Sequence, residues 1–397
     1  MTSEKHDQDI VIVAAKRTPM GGFQGSLSTV ASPKLGAVAI KSLISDTGIH
    51  GDEVDEVLMG CVLPAGLGQA PARQATLGAE LPLSVGATTL NKVCGSGMKT
   101  VMMAHDLIKA GSAKVIIAGG MESMSGSPYL LDKARDGMRM GHGKVLDHMF
   151  LDGLEDAYTG GAMGTFAQKT ADEYGITREK MDEFALSSLE KANAAIASGA
   201  FNNEIEPVTV TSRRGDTVVA IDEQPGNARP EKIPALRPAF AKDGTITAAN
   251  SSSISDGAAA VMLMSRAQAN ELNLDVLATI KGHKTHSQEP AMFTTAPVGA
   301  MMDLLSNVGW SKDSVDLYEI NEAFAMVTML AISELGLDAA KVNVNGGACA
   351  LGHPIGCSGT RILVTLIHAL KNRGLKRGVA SLCIGGGEAT AMAIEVE

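Results

Sequence analysis

Residues 32–60 and 296–321 are two versions of one pattern, and that repeat limits the fold more than anything else in the sequence. "SPKLGAVAIKSLISDTGIHGDEVDEVLMG" reads as an amphipathic helix, a glycine-containing turn and a β-rich run. "APVGAMMDLLSNVGWSKDSVDLYEIN" has the same order, with Val54-Asp55 matched by Val315-Asp316. Further on, each copy has a small-residue turn, a helix and a strand ending in glycine: "CGSGMKTVMMAHDLIKAGSAKVIIAGG" in one, "GCSGTRILVTLIHALKNRGLKRGVASLCIGGG" in the other. The openings "IVIVAAKRTP" and "LATIKGHKTH" correspond loosely. Two similar α/β halves follow, at about 1–123 and 275–397. Apolar strands alternating with helices predict mostly parallel sheets covered by helices.

Residues 124–249 differ in texture. "MSGSPYLLDKARDGMRMGHGKVLDHM" is rich in methionine, glycine and charge, a helical pair surrounds "ADEYGITREKMDEFALSSLEKANAAIASG", and "QPGNARPEKIPALRPAF" is punctuated by proline. This stretch reads as an insertion into the first half, which residues 250–274 then complete. Segments inserted between packed halves commonly cover a site held on the scaffold, so it is expected to grip the substrate.

At 397 residues the chain exceeds the roughly 250–300 at which one core stops growing, in keeping with two halves. Its 34 basic and 44 acidic residues give a net charge of -10 without a basic run, which argues against a nucleic-acid partner and for a small-molecule enzyme. Five cysteines, at 61, 94, 349, 357 and 383, form no CxxC pair, so neither a zinc ribbon nor a disulfide framework is expected. The opening "MTSEKHDQD" is unlike a signal peptide, no apolar run approaches the roughly 18 residues of a membrane span, and "AIEVE" is no peroxisomal address. A soluble cytoplasmic protein is expected.

Cys94 stands in "NKVCGSGMKT", directly before a small-residue turn that opens a helix. Unpaired N–H groups at a helix start favour the thiolate, and Gly95, Ser96 and Gly97 let another molecule approach the sulfur. A buried cysteine acting as a small hydrophobe and a redox-sensing thiol are the other readings of such a position. A nucleophile needs a base, and "NVNGGACALGHPIGCSGTR" sets His353 between proline and glycines, just before the helix that repeats the Cys94 helix. "CIGGGEA" puts Cys383 at a strand end, followed by glycines whose amides could hold an oxyanion.

"NKVCGSGMK", "INEAFA", "NVNGGACALGHPIGCSG" and "CIGGGEA" together resemble the four signatures of the thiolase family, in order and spread over nearly the whole chain. The resemblance implies two βαβαβαββ halves forming a five-layered α-β-α-β-α core with an inserted loop domain that binds coenzyme A. It implies a homotetramer built as a dimer of dimers, no covalently bound cofactor, no catalytic metal, and coenzyme A and acyl-CoA as substrates. It also implies roles: Cys94 as the acylated nucleophile, His353 as its base, and Cys383 as the acid/base for the carbon acid, for which a mid-range pKa is wanted. The amides of Cys94 and Gly385 would hold the acyl-transfer oxyanion, while His353 and, through a water, Asn321 would hold the enolate oxygen. Ser252 would contact the pantetheine arm, and Met163 and Met124 are candidate walls of the acyl pocket. Lys133, Arg135, Arg213 and Arg214 are candidates for phosphate contact and equally for an ordinary solvated face.

Within the family, the reading is the branch that reversibly condenses two acetyl-CoA into acetoacetyl-CoA and coenzyme A. Several positions depart from that branch: "GAMG" with Ala162 in place of His-Met-Gly, "MFTTAP" from Met292 in place of "MGxGP", "NSSS" from Asn250 in place of "NASG", and Glu388-Ala389 in place of Met-Gly. They leave the degradative 3-ketoacyl-CoA thiolase of fatty acid β-oxidation, with its broader chain length, as the alternative. A decarboxylating ketoacyl synthase is more remote because it works with histidines and Cys383 speaks against it, and a non-catalytic thiol sensor because it would not need His353 and Cys383 in register with Cys94.

Overall fold

The computed structural model describes residues 7–397; Met1–His6, most of the polar opening considered above, lie outside the described residues. The first half contains β1 (Ile10–Arg17), α1 (Ser32–Thr47), β2 (Glu56–Gly60), α2 (Pro71–Gly78), β3 (Gly86–Leu90), α3 (Ser96–Lys109) and β4 (Val115–Ser123). Within the following stretch lie α4 (Met163–Glu173) and α5 (Arg178–Ala197), and β5 (Ser255–Ser265) then returns to the sheet. The second half contains β6 (Ala278–Ser287), α6 (Ala296–Val308), β7 (Leu317–Ile320), α7 (Ala325–Leu335), α8 (Ser358–Arg373), β8 (Arg377–Ile384) and β9 (Glu388–Val396).

The strands form one hydrogen-bonded order, β7-β8-β9-β6-β1-β5-β4-β2-β3, with Gly21–Gly22 beside β5. Reading outward from the β1/β6 junction, β5, β4 and β2 are answered by β9, β8 and β7. The junction is narrow, pairing Val11 with Thr279 and Ile12 with Ala278.

The sheet is mixed, not mostly parallel as the alternation of strands and helices suggested. Among the strands of the described residues, only β2/β3, β2/β4 and β7/β8 pair in parallel. The reason lies in one connection. Gly385–Gly387 turn β8 straight into β9, and a connection that short can only produce an antiparallel neighbour. The equivalent connection in the first half, from β4 to β5, carries the long 124–254 excursion, yet β5 is still antiparallel to β4.

Five layers result. Leu35, Ile40 and Leu43 of α1 pack on Val57, Met59 and Ile117 of one sheet face. On the opposite side Leu304 and Leu305 of α6 pack on Tyr318, Ile320 and Val379. Between the first-half and second-half parts of this sheet lie α3 and α8, with Met98, Val101, Ile362 and Leu366 among Ile116, Leu263, Leu382 and Met392. A helix packed between two layers of strands has no solvent face, and Ser358–Leu370 are buried without a break. Its polar groups therefore need partners within the protein: Thr360 donates to the Gly97 carbonyl at 2.8 Å, Thr365 to Glu204 at 3.0 Å, and His368 Nε2 lies 3.0 Å from the Ala15 carbonyl oxygen.

The matched Val-Asp pairs have a shared task. Asp55 Oδ2 accepts from the amides of Lys114 and Val115 at 2.6 and 3.0 Å, and Asp316 Oδ2 from those of Lys376 and Arg377 at 3.0 and 2.8 Å. Each aspartate thus caps the first amides of the neighbouring parallel strand. The 124–254 excursion is tied to the core by Arg17, which is wholly buried at the end of β1 and paired with Glu204 at 2.6 Å and Asp222 at 2.7 Å.

Candidate active site

The starts of α3 and α8 approach each other so closely that no side chain fits between them. A Cβ on Gly97 would lie 2.8 Å from Thr360 Oγ1, and one on Gly359 only 2.4 Å from the Met98 amide nitrogen. This crossing brings the loop before α3, with Cys94, against the loop before α8, with His353. The Cys94 loop is held by Ser96, which accepts from the Lys92 amide at 2.8 Å and donates to the Val93 carbonyl at 2.6 Å. Val93 is forced to φ 46°, a strained conformation for a β-branched residue next to the sulfur.

Cys94, His353, Cys383, Gly385, Ser252 and Met163 all line one cavity of about 520 Å³. Asn321 is not among the lining residues; it is buried, with both side-chain amide atoms unpartnered. Met124 packs into a core cluster with Val62, Leu63, Met149 and Ile355 and does not line the cavity. Lys133, Arg135, Arg213 and Arg214 are exposed and outside it.

His353 has a defined tautomer. Its Nδ1 lies 2.5 Å from Ser358 Oγ, and that hydroxyl donates to the Pro354 carbonyl at 3.0 Å, so Nδ1 carries the hydrogen. Nε2 is left as a bare, buried acceptor. Burial, with Arg361 as a smaller cause, holds the imidazole neutral and lowers its pKa to about 3.

The Cys94 thiol is not the preformed thiolate expected at a helix start. Burial pushes its pKa up to about 11, against the backbone amides of Gly385 and of Cys94 itself, while Glu122 adds to the rise. Cys94 precedes the N-cap residue Gly95, and in a largely apolar cavity the loss of solvation outweighs two amide dipoles. The Cys383 thiol is raised further, by burial and then by the neighbouring Cys94, so it is a thiol at rest and not a mid-range base. All five cysteines are free.

Family models for the N-terminal and C-terminal domains of thiolase match residues 10–267 and 274–396. The chain belongs to the thiolase family. The acetyl-CoA acetyltransferases of Pseudomonas aeruginosa and Escherichia coli are each 51% identical to it over 98% of this chain and 99% of their own. Acetyl-CoA acetyltransferase 2 of Arabidopsis thaliana is 50% identical over 100% and 99%. The crystal structure of the Bacillus anthracis acetyl-CoA acetyltransferase superposes with a TM-score of 0.96 at 42% identity, covering 98% of this chain and 99% of that one. This thiolase is therefore an acyltransferase with the five-layered thiolase fold, and the family uses no separate cofactor.

Sequence reasoning passed over several groups that hold the thiolase site together. Glu122 is fully buried and accepts from the amides of Val62, Leu63 and Gly356 at 3.0, 3.1 and 2.9 Å, joining the His353 loop to the first half. Burial raises its pKa to about 7, with those amides opposing. Glu322 does similar work for "NVNGGAC", accepting from Ser188, Asn343 and the Cys349 amide. Lys92, two residues before Cys94, pairs with Glu388, the first residue of β9. An acid inside an apolar strand, two residues after Gly119-Gly120, was the available signal for Glu122; no signal pointed to the Lys92 pair, whose members are 296 residues apart.

Gly356 is the counterpart of Cys94, each standing two residues before the first serine of its helix, Ser358 or Ser96. A Cβ on Gly356 would meet Glu122 Oε2 at 2.6 Å and the Met121 carbonyl oxygen at 3.1 Å.

Proposed function

We propose that this thiolase is an acetyl-CoA C-acetyltransferase that joins two acetyl-CoA into acetoacetyl-CoA and coenzyme A, reversibly, through an acyl-Cys94 intermediate. One observation carries the residue roles: the two thiols and the amides of Cys94 and Gly385 share a cavity with a bare imidazole nitrogen. His353 Nε2 takes the Cys94 proton as the sulfur attacks the first acetyl carbonyl. The amides of Cys94 and Gly385 hold the oxyanion. Cys383, a thiol at rest, gives its proton to the departing coenzyme A sulfur and becomes the base. It then removes a proton from the methyl carbon of the second acetyl-CoA, while protonated His353 and, through a water, Asn321 stabilise the enolate oxygen. Attack of this carbon on the acyl thioester expels Cys94, which recovers its proton from His353. Every group is then restored.

Ser252 stands on the cavity wall to meet the pantetheine arm. The 124–249 insertion is read as the coenzyme-binding part, with 1–123 and 275–397 as the halves it serves. A second groove shares Phe23, Gln224, Ala248 and Ser253 with the cavity and leads to Arg229 and Lys232, which suit the phosphates better than the four basic residues considered from sequence. A homotetramer is supported by exposed apolar side chains concentrated in the insertion, among them Tyr129, Leu131 and Met140. A cytoplasmic location agrees with the finding that no helix among the described residues is long and apolar enough to cross a membrane.

One observation favours broader chain length: Ala162 lines the cavity and leaves space beside Met163. Phe293 lines the same cavity and takes up space elsewhere. The reading expects acetoacetyl-CoA to be the best or near-best substrate, with measurable turnover of 3-ketohexanoyl-CoA. Thiolytic kcat/KM measured over even chains of about four to sixteen carbons tests it, since each buried methylene is worth about 0.8 kcal/mol where space exists. A maximum at about eight carbons or beyond replaces it with the degradative 3-ketoacyl-CoA thiolase.

A further inference from the structure

We infer that His105, Asp106 and His283 form a binding site for one divalent transition-metal ion of the zinc, cobalt or nickel class, joining the two halves at a distance from the reaction. His105 lies nine residues into α3, roughly 14 Å along its axis from the end that faces the cavity. Its Nδ1 is 2.9 Å from Asp106 Oδ1 and 3.3 Å from His283 Nε2, and His283 Nε2 is 3.1 Å from the same Asp106 oxygen. Three donor atoms thus form a nearly equilateral triangle, with all three pairs within 4.8 Å. Metal–ligand bonds of about 2.0–2.1 Å at tetrahedral angles require donor edges of roughly 3.3 Å, so the triangle is one face of such a shell with little rearrangement.

The donor set narrows the ion. Two imidazoles and one carboxylate suit zinc-like borderline metals, whereas magnesium and calcium prefer all-oxygen sites. Lys109 and Lys281 line the adjoining pocket, and their ammonium groups disfavour a cation held by charge alone. Imidazole nitrogens bind through directed donation and tolerate that field better. The side chains of His105 and His283 are only 11% and 15% exposed, while that of Asp106 is 61% exposed, which leaves the solvent side open for a water ligand. The rings meet edge to face at 87°, so their nitrogens converge without stacking. His105 and Asp106 belong to the first half and His283 to β6 of the second, so an ion here would cross-link the halves beside their narrow β1/β6 junction.

The test uses the full-length, tag-free chain, stripped with chelator and treated with iodoacetamide to block reactive thiols, then titrated with Co²⁺. Expected are one equivalent bound per chain, a visible spectrum without sulfur-to-cobalt charge transfer, and a melting temperature raised by Zn²⁺ or Co²⁺. His105→Ala and His283→Ala are each expected to weaken binding at least tenfold and remove the metal-dependent rise. Asp106→Asn, which is exposed and near-isosteric, covers the case in which a histidine variant fails to fold. Absence of Co²⁺ uptake by the wild-type chain, a thiolate-type spectrum, or uptake undiminished in Asp106→Asn and His283→Ala overturns the site. Thiolysis measured before thiol blocking is expected to be unchanged in these variants, so failure here is separable from failure of the acetyltransferase reading.

Discussion

The Ser358 hydroxyl lies 2.5 Å from His353 Nδ1 and donates its own hydrogen to the Pro354 carbonyl, so the serine fixes which ring nitrogen is bare. Ser358→Ala removes that instruction. Acylation and condensation are both expected to slow by roughly 10- to 100-fold, a part of the 10²–10⁴ that a positioned base contributes. Single-turnover acylation by acetyl-CoA measures it, and an unchanged rate would mean that packing alone orients the ring.

The protonation states give a pH prediction. With Cys94 raised to about 11 and His353 lowered to about 3, the free enzyme holds thiol and neutral imidazole across the neutral range. Alkylation of Cys94 by iodoacetamide should therefore climb steadily from pH 7 toward 10. A plateau reached below pH 7 would instead reveal a resting thiolate–imidazolium pair.

The same depressed imidazole acts on stability. Between pH 6.5 and about 3 the unfolded chain takes up a proton at this histidine that the folded chain refuses, so this contribution to stability falls as pH falls through that window. The slope is at most about 1.4 kcal/mol per pH unit. Denaturant melts of the wild type and His353→Asn should draw together as pH drops from 7 to 4.5; parallel curves would show that the ring is protonated in the folded state.

In the proposed mechanism Cys383 is needed only where a carbon–hydrogen bond is made or broken or a leaving sulfur must be protonated. Cys383→Ala is expected to retain slow acyl labelling, mapped by peptide to Cys94, and to lose condensation and thiolysis by several orders of magnitude. Label appearing on Cys383 in the wild type would reverse the two assignments.

The proposed chain-length preference rests on residues 162 and 293, which both line the cavity. Ala162→His should narrow thiolysis to four carbons. Phe293→Ala should raise the relative kcat/KM for six carbons by about fourfold per methylene accommodated, at a stability cost, because Phe293 is buried and packs against Phe324 at 6.4 Å between ring centres. Identical chain profiles in both variants would move the specificity elsewhere.

The repeat was legible because its pieces do mechanical work. Asp55 and Asp316 match in sequence since each caps the neighbouring strand, and Pro33 and Pro297 open helices that Gly48 and Gly309 end with φ of 68° and 69°. The antiparallel strands were misjudged because local alternation carries no direction; only the tight Gly385–Gly387 turn carries it. Glycine-rich surroundings singled out Cys94, His353 and Cys383, which fall in one cavity, but gave no sign of their protonation states. Those depend on burial in a cavity whose aromatic lining, Phe240, Phe293 and Phe324, is scattered along the chain and assembled only by folding. Asn321 showed the same limit, its signature being evident and its burial outside the cavity lining not.

Gly356 sets the stoichiometry. A molecule written twice would ordinarily carry two of everything, but the position that mirrors the nucleophile has no room for even one carbon, because the Glu122 carboxylate and the Met121 carbonyl oxygen already stand there. On the proposed roles, each chain is thereby confined to a single reaction centre, to which the first half contributes Cys94 and the second His353 and Cys383. Separated by proteolysis, neither fragment would retain a fraction of the activity, and only their reassociation would restore it.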